Sequence, residues 1–286
     1  MSDRTRGIVG AFLGIVVVVA VWAVAARGQP ELILPSPAQT WAALTDLATD
    51  GTIASELVTT LRRAVVGVAI ALVIGVAWGA ANGWSRWAAA TTQPVLAALM
   101  AIPPVVMVAV GMVWFGPGDA VARLVIAIVA LPLIVMAVQE AIQNLDRDLL
   151  EMASVFELPR RVVLRHIVAP GVTSPVVAAL SVTFGQALRV TVMVELLAAS
   201  TGVGAEVARS RANLMTADLF AWALLMILVV LVIELAVLRP TTARLLRWRT
   251  ASTGTSAIRV GGRATGPPVR SGEPAAGETG RHAGVR

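Results

Sequence analysis

The chain is divided into apolar runs long enough to cross a lipid bilayer, and nothing else in it restricts the fold as strongly. A helix of about 20 apolar residues spans the hydrocarbon layer, where only helices and closed barrels satisfy their own backbone groups. Six such runs are expected as spans: Gly7 to Ala26, Ala64 to Asn82, Pro94 to Phe115, Ala120 to Ile142, Gly171 to about Leu197, and Leu219 to Leu238. Of the 286 residues 57% are hydrophobic and 14% charged, and the mean hydropathy is +0.80, far from an ordinary soluble mixture. The expected fold class is an all-α integral membrane protein with about six transmembrane helices.

Composition removes several chemistries. All 23 basic residues are Arg, and the chain contains no Lys, Cys or Tyr. A phosphate-cradling P-loop needs its Lys, so nucleotide hydrolysis must come from another chain. Without Cys, and with only His166 and His282, there is no support for a zinc cage, a disulfide framework or a Cys/His nucleophile. No catalytic residue, metal site or cofactor is expected. The Arg residues are spread through loops and a tail instead of forming one basic face, which argues against nucleic acid and for membrane lipid headgroups as the counter-charge.

Three regions are expected: 1–26, an N-terminal transmembrane helix; 27–249, the core of the protein; and 250–286, a disordered tail rich in Arg, Gly and Pro. Arg4 and Arg6 before the first run, and small residues around Ala23 to Ala26, also fit a signal peptide. The apolar stretch exceeds the usual 7–15 residues of one, which favours a retained anchor. Gly28 to Thr60 reads as an extracytoplasmic connection, with a short amphipathic helix from Pro37 to Leu47 after the Pro35-Ser36-Pro37 break. Gly67, Gly75 and Gly79 have two readings, close approach of another helix or the general frequency of glycine in membrane helices. Trp78, Trp84 and Trp87 mark an interface. In the third span Ile102-Pro103-Pro104 removes backbone donors and should kink or break the helix. The fifth span carries Arg189 and Glu195, six residues apart and so too far for a good i,i+4 pair; either side chain can snorkel to the interface. Ionisable groups within spans are functional candidates because they are costly to insert. Pro103, Pro104, Arg189 and Glu195 are accordingly candidates for the translocation pathway or an interface, with Glu195 either functional or structural.

The loop 143–170 joins the fourth and fifth runs. Leu149, Met152, Ala153 and Phe156 stand at i, i+3, i+4 and i+7, an apolar stripe on one short helix, which Pro159 ends. A second helical run from Arg160 to Ile167 carries Arg160, Arg161 and Arg165. Asp148-x-x-Glu151 has a second reading, a capping-box-like arrangement in which Glu151 only bonds its own helix start. Most of the Arg residues fall on the side of this loop and of both termini, and that bias places all three in the cytosol.

Glu151, Ala153, Ile167 and Pro170 match in type and spacing the EAA loop, and the chain resembles the permease subunits of type I ATP-binding-cassette importers that carry it. Leu34-Pro35-Ser36-Pro37, Thr60-Leu61-x-Arg63, Ile102-Pro103 with Trp114-Phe115-Gly116, Glu195, and Gly202-x-Gly204 with Thr216-x-Asp218 are similar to the nitrate, sulfonate and taurine branch. The chain departs from the pattern at Glu157, where the family has the Gly of a tight turn, at Ala169 for Leu, at Ala109 for Pro, and at Ser181 for Arg. The resemblance implies the type I importer permease fold in a plasma membrane. It also implies a coupling role for Glu151, Met152, Ala153, Phe156, Glu157 and Pro159. The implied partners are two cytosolic ATP-binding-cassette ATPase subunits, a second permease copy, identical in a homodimer or closely similar, and an extracytoplasmic substrate-binding protein. The solute is then a small nitrate-, sulfonate- or taurine-like anion or a related organic molecule. An ATP-independent secondary transporter or channel is the alternative, and a scaffold without transport a third class.

Overall fold

The computed structural model describes residues 3–238, and the described residues form helices with no strand. Helix α1 runs Asp3–Ala25 and α2 Pro37–Thr49. The start of α2 is a capping box: Ser36 Oγ accepts from the Gln39 amide at 3.3 Å while Gln39 Oε1 accepts from the Ser36 amide at 2.7 Å, with Pro37 at a position whose amide would go unused. Gly51, at φ +71, turns the chain into α3, Thr52–Trp84. The helix therefore starts at Thr52, not at Ala64 as the hydropathy suggests. Its first three turns are polar enough to escape a search for apolar runs, yet they contain no helix breaker.

The expected break in the third span is a sharp one. Helices α4, Arg86–Ala101, and α5, Pro104–Phe115, meet at 94°. Ile102 and Pro103, each followed by proline, are both extended, with ψ of 122° and 134°, because the next pyrrolidine ring excludes the helical region. Helix α6 runs Asp119–Gln143 with Pro132 inside it, followed by α7, Arg147–Val155. Next come α8, Arg160–Val163, a π-helical stretch Leu164–Val168, and α9, Ala169–Ala198. These three run on as a single helix over Arg160–Ala198. The second helical part of the loop is thus continuous with the fifth span. Helix α10 is Val203–Ala212, and α11, Thr216–Val232, passes into a second π-helical stretch, Ile233–Leu238.

Among the described residues four helices are long and apolar enough to cross a membrane, or five if the bent α4–α5 pair is one span. The apolar part of α1, Phe12–Ala25, is shorter, so the expected count of six is not reached on length and composition. Trp22 ties α1 down: its Nε1 donates to the Pro35 carbonyl at 3.0 Å and its ring stacks on Phe220 with centroids 5.9 Å apart. The expected tail, 250–286, lies outside the described residues.

The bundle is built on α3, α6 and α9. Gly67, Ala71, Gly75, Gly79 and Gly83 recur every four residues on α3, one ridge of the helix. A Cβ on Gly67 would lie 2.5 Å from Ile126, on Gly75 2.8 Å from Ile134, on Gly79 2.6 Å from the Val135 carbonyl oxygen, and on Gly83 2.6 Å from Ile142. The ridge is a bed for the branched side chains of α6, and close approach is the reading that holds. Val121, Ala122, Val125 and Ile126 of α6 also share a core cluster with Ala187, Val190 and Val194 of α9. A third cluster, with Ala64, Leu188, Val203 and Trp222, joins α3 and α9 to α10 and α11.

Candidate functional site

Two groups of functional candidates stand at opposite ends of this bundle. At one end, where α6 gives way to α9, lies the loop helix α7. Asp146 is its N-cap and accepts from the Asp148 amide at 3.0 Å. The cap is therefore Asp146, and the capping-box reading of Asp148-x-x-Glu151 does not hold. Glu151 is exposed, free for contacts beyond its own helix start. At the C-terminus the Leu158 amide reaches back to the Ala153 carbonyl at 3.0 Å and the Glu157 amide to the Ser154 carbonyl at 3.1 Å. This pair of bonds is a Schellman motif with Glu157 at its left-handed position, and Glu157 indeed has φ +49. The tight turn is kept although a glutamate occupies the place that favours glycine, at a cost of about 1–2 kcal/mol. Pro159 follows and starts α8.

The turn sorts the apolar stripe. Ala153 is 3% exposed, whereas Phe156 is 71% exposed and Leu149, Met152 and Val155 are also open. Ala153 thus belongs to the inside of the loop, and the surface it helps to fix is carried by Leu149, Met152 and Phe156. That is a correction to a stripe in which Ala153 itself is presented.

At the other end, α3, α6, α9 and α10 converge on Arg63. Its Nη1 donates to Glu195 Oε1 at 2.7 Å and to the Thr201 carbonyl at 2.5 Å. Its Nη2 donates to Asp119 Oδ1 at 2.6 Å and Thr201 Oγ1 at 2.9 Å, and its Nε to Asp119 Oδ1 at 2.8 Å. Five contacts thus match the five N–H donors of the guanidinium. Arg63 is 4% exposed and Glu195 0%. Glu195 Oε2 also accepts from Thr60 Oγ1 at 2.9 Å and the Gly204 amide at 3.0 Å.

Helix α10 is docked through its first turn. The Val203 amide donates to Thr60 Oγ1 at 2.9 Å and the Gly202 amide to the Glu56 carboxylate. Three successive amides that no intrahelical carbonyl can serve are thus satisfied by side chains of α3 and α9, and the negative charges sit where the helix dipole favours them. The Gly-x-Gly of this turn follows from space: a Cβ on Gly202, at φ +103, would lie 2.3 Å from the Glu195 carboxylate, and one on Gly204 would lie 2.2 Å from the Val192 carbonyl oxygen.

Glu195 therefore does not snorkel; it is the buried anion of a clasp, and its partner lies on α3 instead of beside it on α9. Thr60, Arg63, Glu195 and Gly202-x-Gly204 each carry a sequence signal, and the structure brings them together. Glu56, Asp119 and Thr201 are the members that sequence reasoning missed; their only mark was closeness in the chain to those signals. Pro103 and Pro104 lie at the α4–α5 bend, away from the clasp residues in the chain, and Arg189 is exposed on α9. No group of His, Cys, Asp and Glu among the described residues is arranged to hold a metal ion.

The chain resembles known proteins over most of its length. It is 32% identical to a riboflavin transport system permease protein of Chloroflexus aurantiacus over 77% of this chain and 82% of that one. It is 25% identical to a taurine transport system permease protein of Escherichia coli over 81% and 86%. In three dimensions it matches a chain of the inward-facing MetNI methionine ABC transporter with a TM-score of 0.57 at 18% identity, over 70% of this chain and 99% of that one. The family model for the binding-protein-dependent transport system inner membrane component matches residues 65–239, a region holding α6, α7, α9 and all of the clasp except Glu56, Thr60 and Arg63. The chain is thus a member of the binding-protein-dependent transport system inner membrane component family, the permeases of type I ATP-binding-cassette importers.

Proposed function

We propose that the chain pairs with a second permease copy, identical or closely similar, to enclose the pathway of a small solute, and that separate cytosolic ATPase subunits drive it through α7. The observation that carries this reading is the construction of the loop. Asp146, Ala153 and Glu157 fix a short helix whose exposed edge is Leu149, Met152 and Phe156. Exposed apolar anchors on a capped helix fit the groove of a partner protein. The partner's work is then to bias the bundle between two arrangements, and a binding protein on the opposite face delivers the solute. Relatives are named for riboflavin, taurine, aliphatic sulfonates and nitrate; the solute class we propose is a small anion or a related organic molecule.

Phe156→Asp and Met152→Asp test this reading, because both positions are exposed. Each variant should reach the membrane and elute like the parent, yet fail to co-purify with its partner ATPase and fail in uptake; Glu151→Arg should behave likewise. Retained uptake in all three removes α7 from the mechanism. Uptake that continues with the ATPase deleted would favour a secondary transporter.

A further inference from the structure

One cation in the membrane-spanning part of the bundle is left over by the clasp and the loop. Arg189 lies in α9, Ala169–Ala198, and is exposed, and among the described residues no hydrogen bond or ion pair engages it. Its nearest carboxylate along the helix, Glu195, is already saturated by Arg63, Thr60 and Gly204. Arg189 stands nine positions before the end of α9 at Ala198, about 14 Å of helix axis. Side chains on a helix lean toward its N-terminus, which for α9 is the loop end. The guanidinium is therefore carried toward the middle of the helix, not toward the nearer end.

The same face is polar and open. Val182, 68% exposed, precedes Gln186 and Arg189 at i, i+4 and i+7, and a Cβ on Gly185 would meet nothing within 4 Å. Thr183, three residues before Gln186, is turned inward instead: its hydroxyl is buried between α6 and α9. Gln186 and Arg189, both exposed, put an amide and a guanidinium in one strip of donors along the open side of a membrane helix. Lipid cannot solvate such a strip: an Arg at the centre of a span costs about 2.5–3.5 kcal/mol on insertion scales, and intramembrane charges face a water-filled cavity or another protein segment.

We infer that this face of α9 lines the wetted solute pathway and that Arg189, with Gln186 beside it, contacts an anionic group of the solute as it passes. This rests on the reading of the chain as a permease, and it narrows the solute to one that carries negative charge. A guanidinium presents paired donors to a planar oxyanion such as carboxylate, sulfonate or nitrate.

The chain has no native cysteine, so single cysteines can be read one at a time in the full chain, in membranes, together with its ATPase. Gln186→Cys is treated with a negatively charged sulfonatoethyl thiosulfonate and with its trimethylammonium counterpart, neither of which enters lipid. Val73→Cys on α3 and Ile227→Cys on α11 serve as exposed apolar references. Gln186→Cys should react well above both references, and the negatively charged reagent should be favoured. Adding Arg189→Gln should lower that preference by about tenfold, the scale of a unit charge a few ångströms away in a solvated protein site, while Arg189→Lys should retain it. Reaction at Gln186→Cys no faster than at the references, or a preference that ignores the charge at position 189, overturns the inference. Because ATPase co-purification is measured on the same membranes, that failure with the complex intact leaves the permease reading standing, whereas loss of both would defeat the permease reading as well.

Discussion

Removing the guanidinium of Arg63 is the severest single test of the clasp. Arg63→Met keeps the length of the side chain and deletes all five donors. Glu195, fully buried, then keeps only the Thr60 hydroxyl and the Gly204 amide. Breaking a buried ion pair from one side costs about 3–5 kcal/mol, since the remaining charge is left without a partner. For a domain of this size each kcal/mol moves the thermal midpoint by roughly 2–4 °C, so a fall of about 6–20 °C is expected. Glu195→Gln should cost less, about 1–3 kcal/mol, because Arg63 keeps Asp119, which is 41% exposed and can share its charge with solvent. The double variant should fall short of the sum of the two, because the orphaned carboxylate that makes the first change expensive is absent. The assay is thermal unfolding of the full chain in lipid nanodiscs, with hydrogen exchange across Val203–Ala212 as the local readout, since α10 is docked through the same groups. A midpoint for Arg63→Met within about 2 °C of the parent, or strict additivity of the two changes, would refute the picture of a desolvated pair holding α10 in place.

Two other changes test the loop and the packing. Glu157→Gly should relieve the left-handed strain at the end of α7 and stabilise the turn by about 1 kcal/mol; exchange of the Glu157 and Leu158 amides should slow by about fivefold, with ATPase binding intact. Gly79→Ala should lower the yield of folded protein and cost about 1–3 kcal/mol or more, because its new Cβ meets the Val135 carbonyl oxygen, whereas Gly14→Ala, where nothing lies within 4 Å, should be neutral or slightly stabilising in the same thermal assay.

Apolar run length and proline chemistry made most of the architecture legible. Ile102-Pro103-Pro104 announces a break because each ring restricts the residue before it, a strictly local effect. The glycines of α3 were readable as a surface for close approach, but their partner was not, because Ile126, Ile134 and Ile142 belong to a helix whose register is set by tertiary packing. The clasp was the least legible part. Arg63 and Glu195 are 132 residues apart in the chain, and taken one at a time each looks like a residue reaching for the membrane surface. Only the fold brings them within 2.7 Å. Glu157 marks another limit: a glutamate where the pattern has glycine gives no sign of the left-handed turn that the backbone hydrogen bonds of Leu158 and Glu157 keep at some cost in strain. The start of α3 at Thr52 was missed because hydropathy detects bilayer contact, and a helix can continue beyond it.

The unbroken run from Arg160 to Ala198 has a mechanical corollary. At about 1.5 Å per residue its 39 residues make a strut of roughly 58 Å, rooted beside the turn at Glu157 and carrying Glu195 near its far tip. A torque applied at the root has a stiff route to the lock at the tip, and that route can give at the wider-wound stretch Leu164–Val168 and at Pro175, whose ring removes a backbone donor inside α9. Compliance there would set how much of an applied twist arrives at the far side and how much is absorbed on the way.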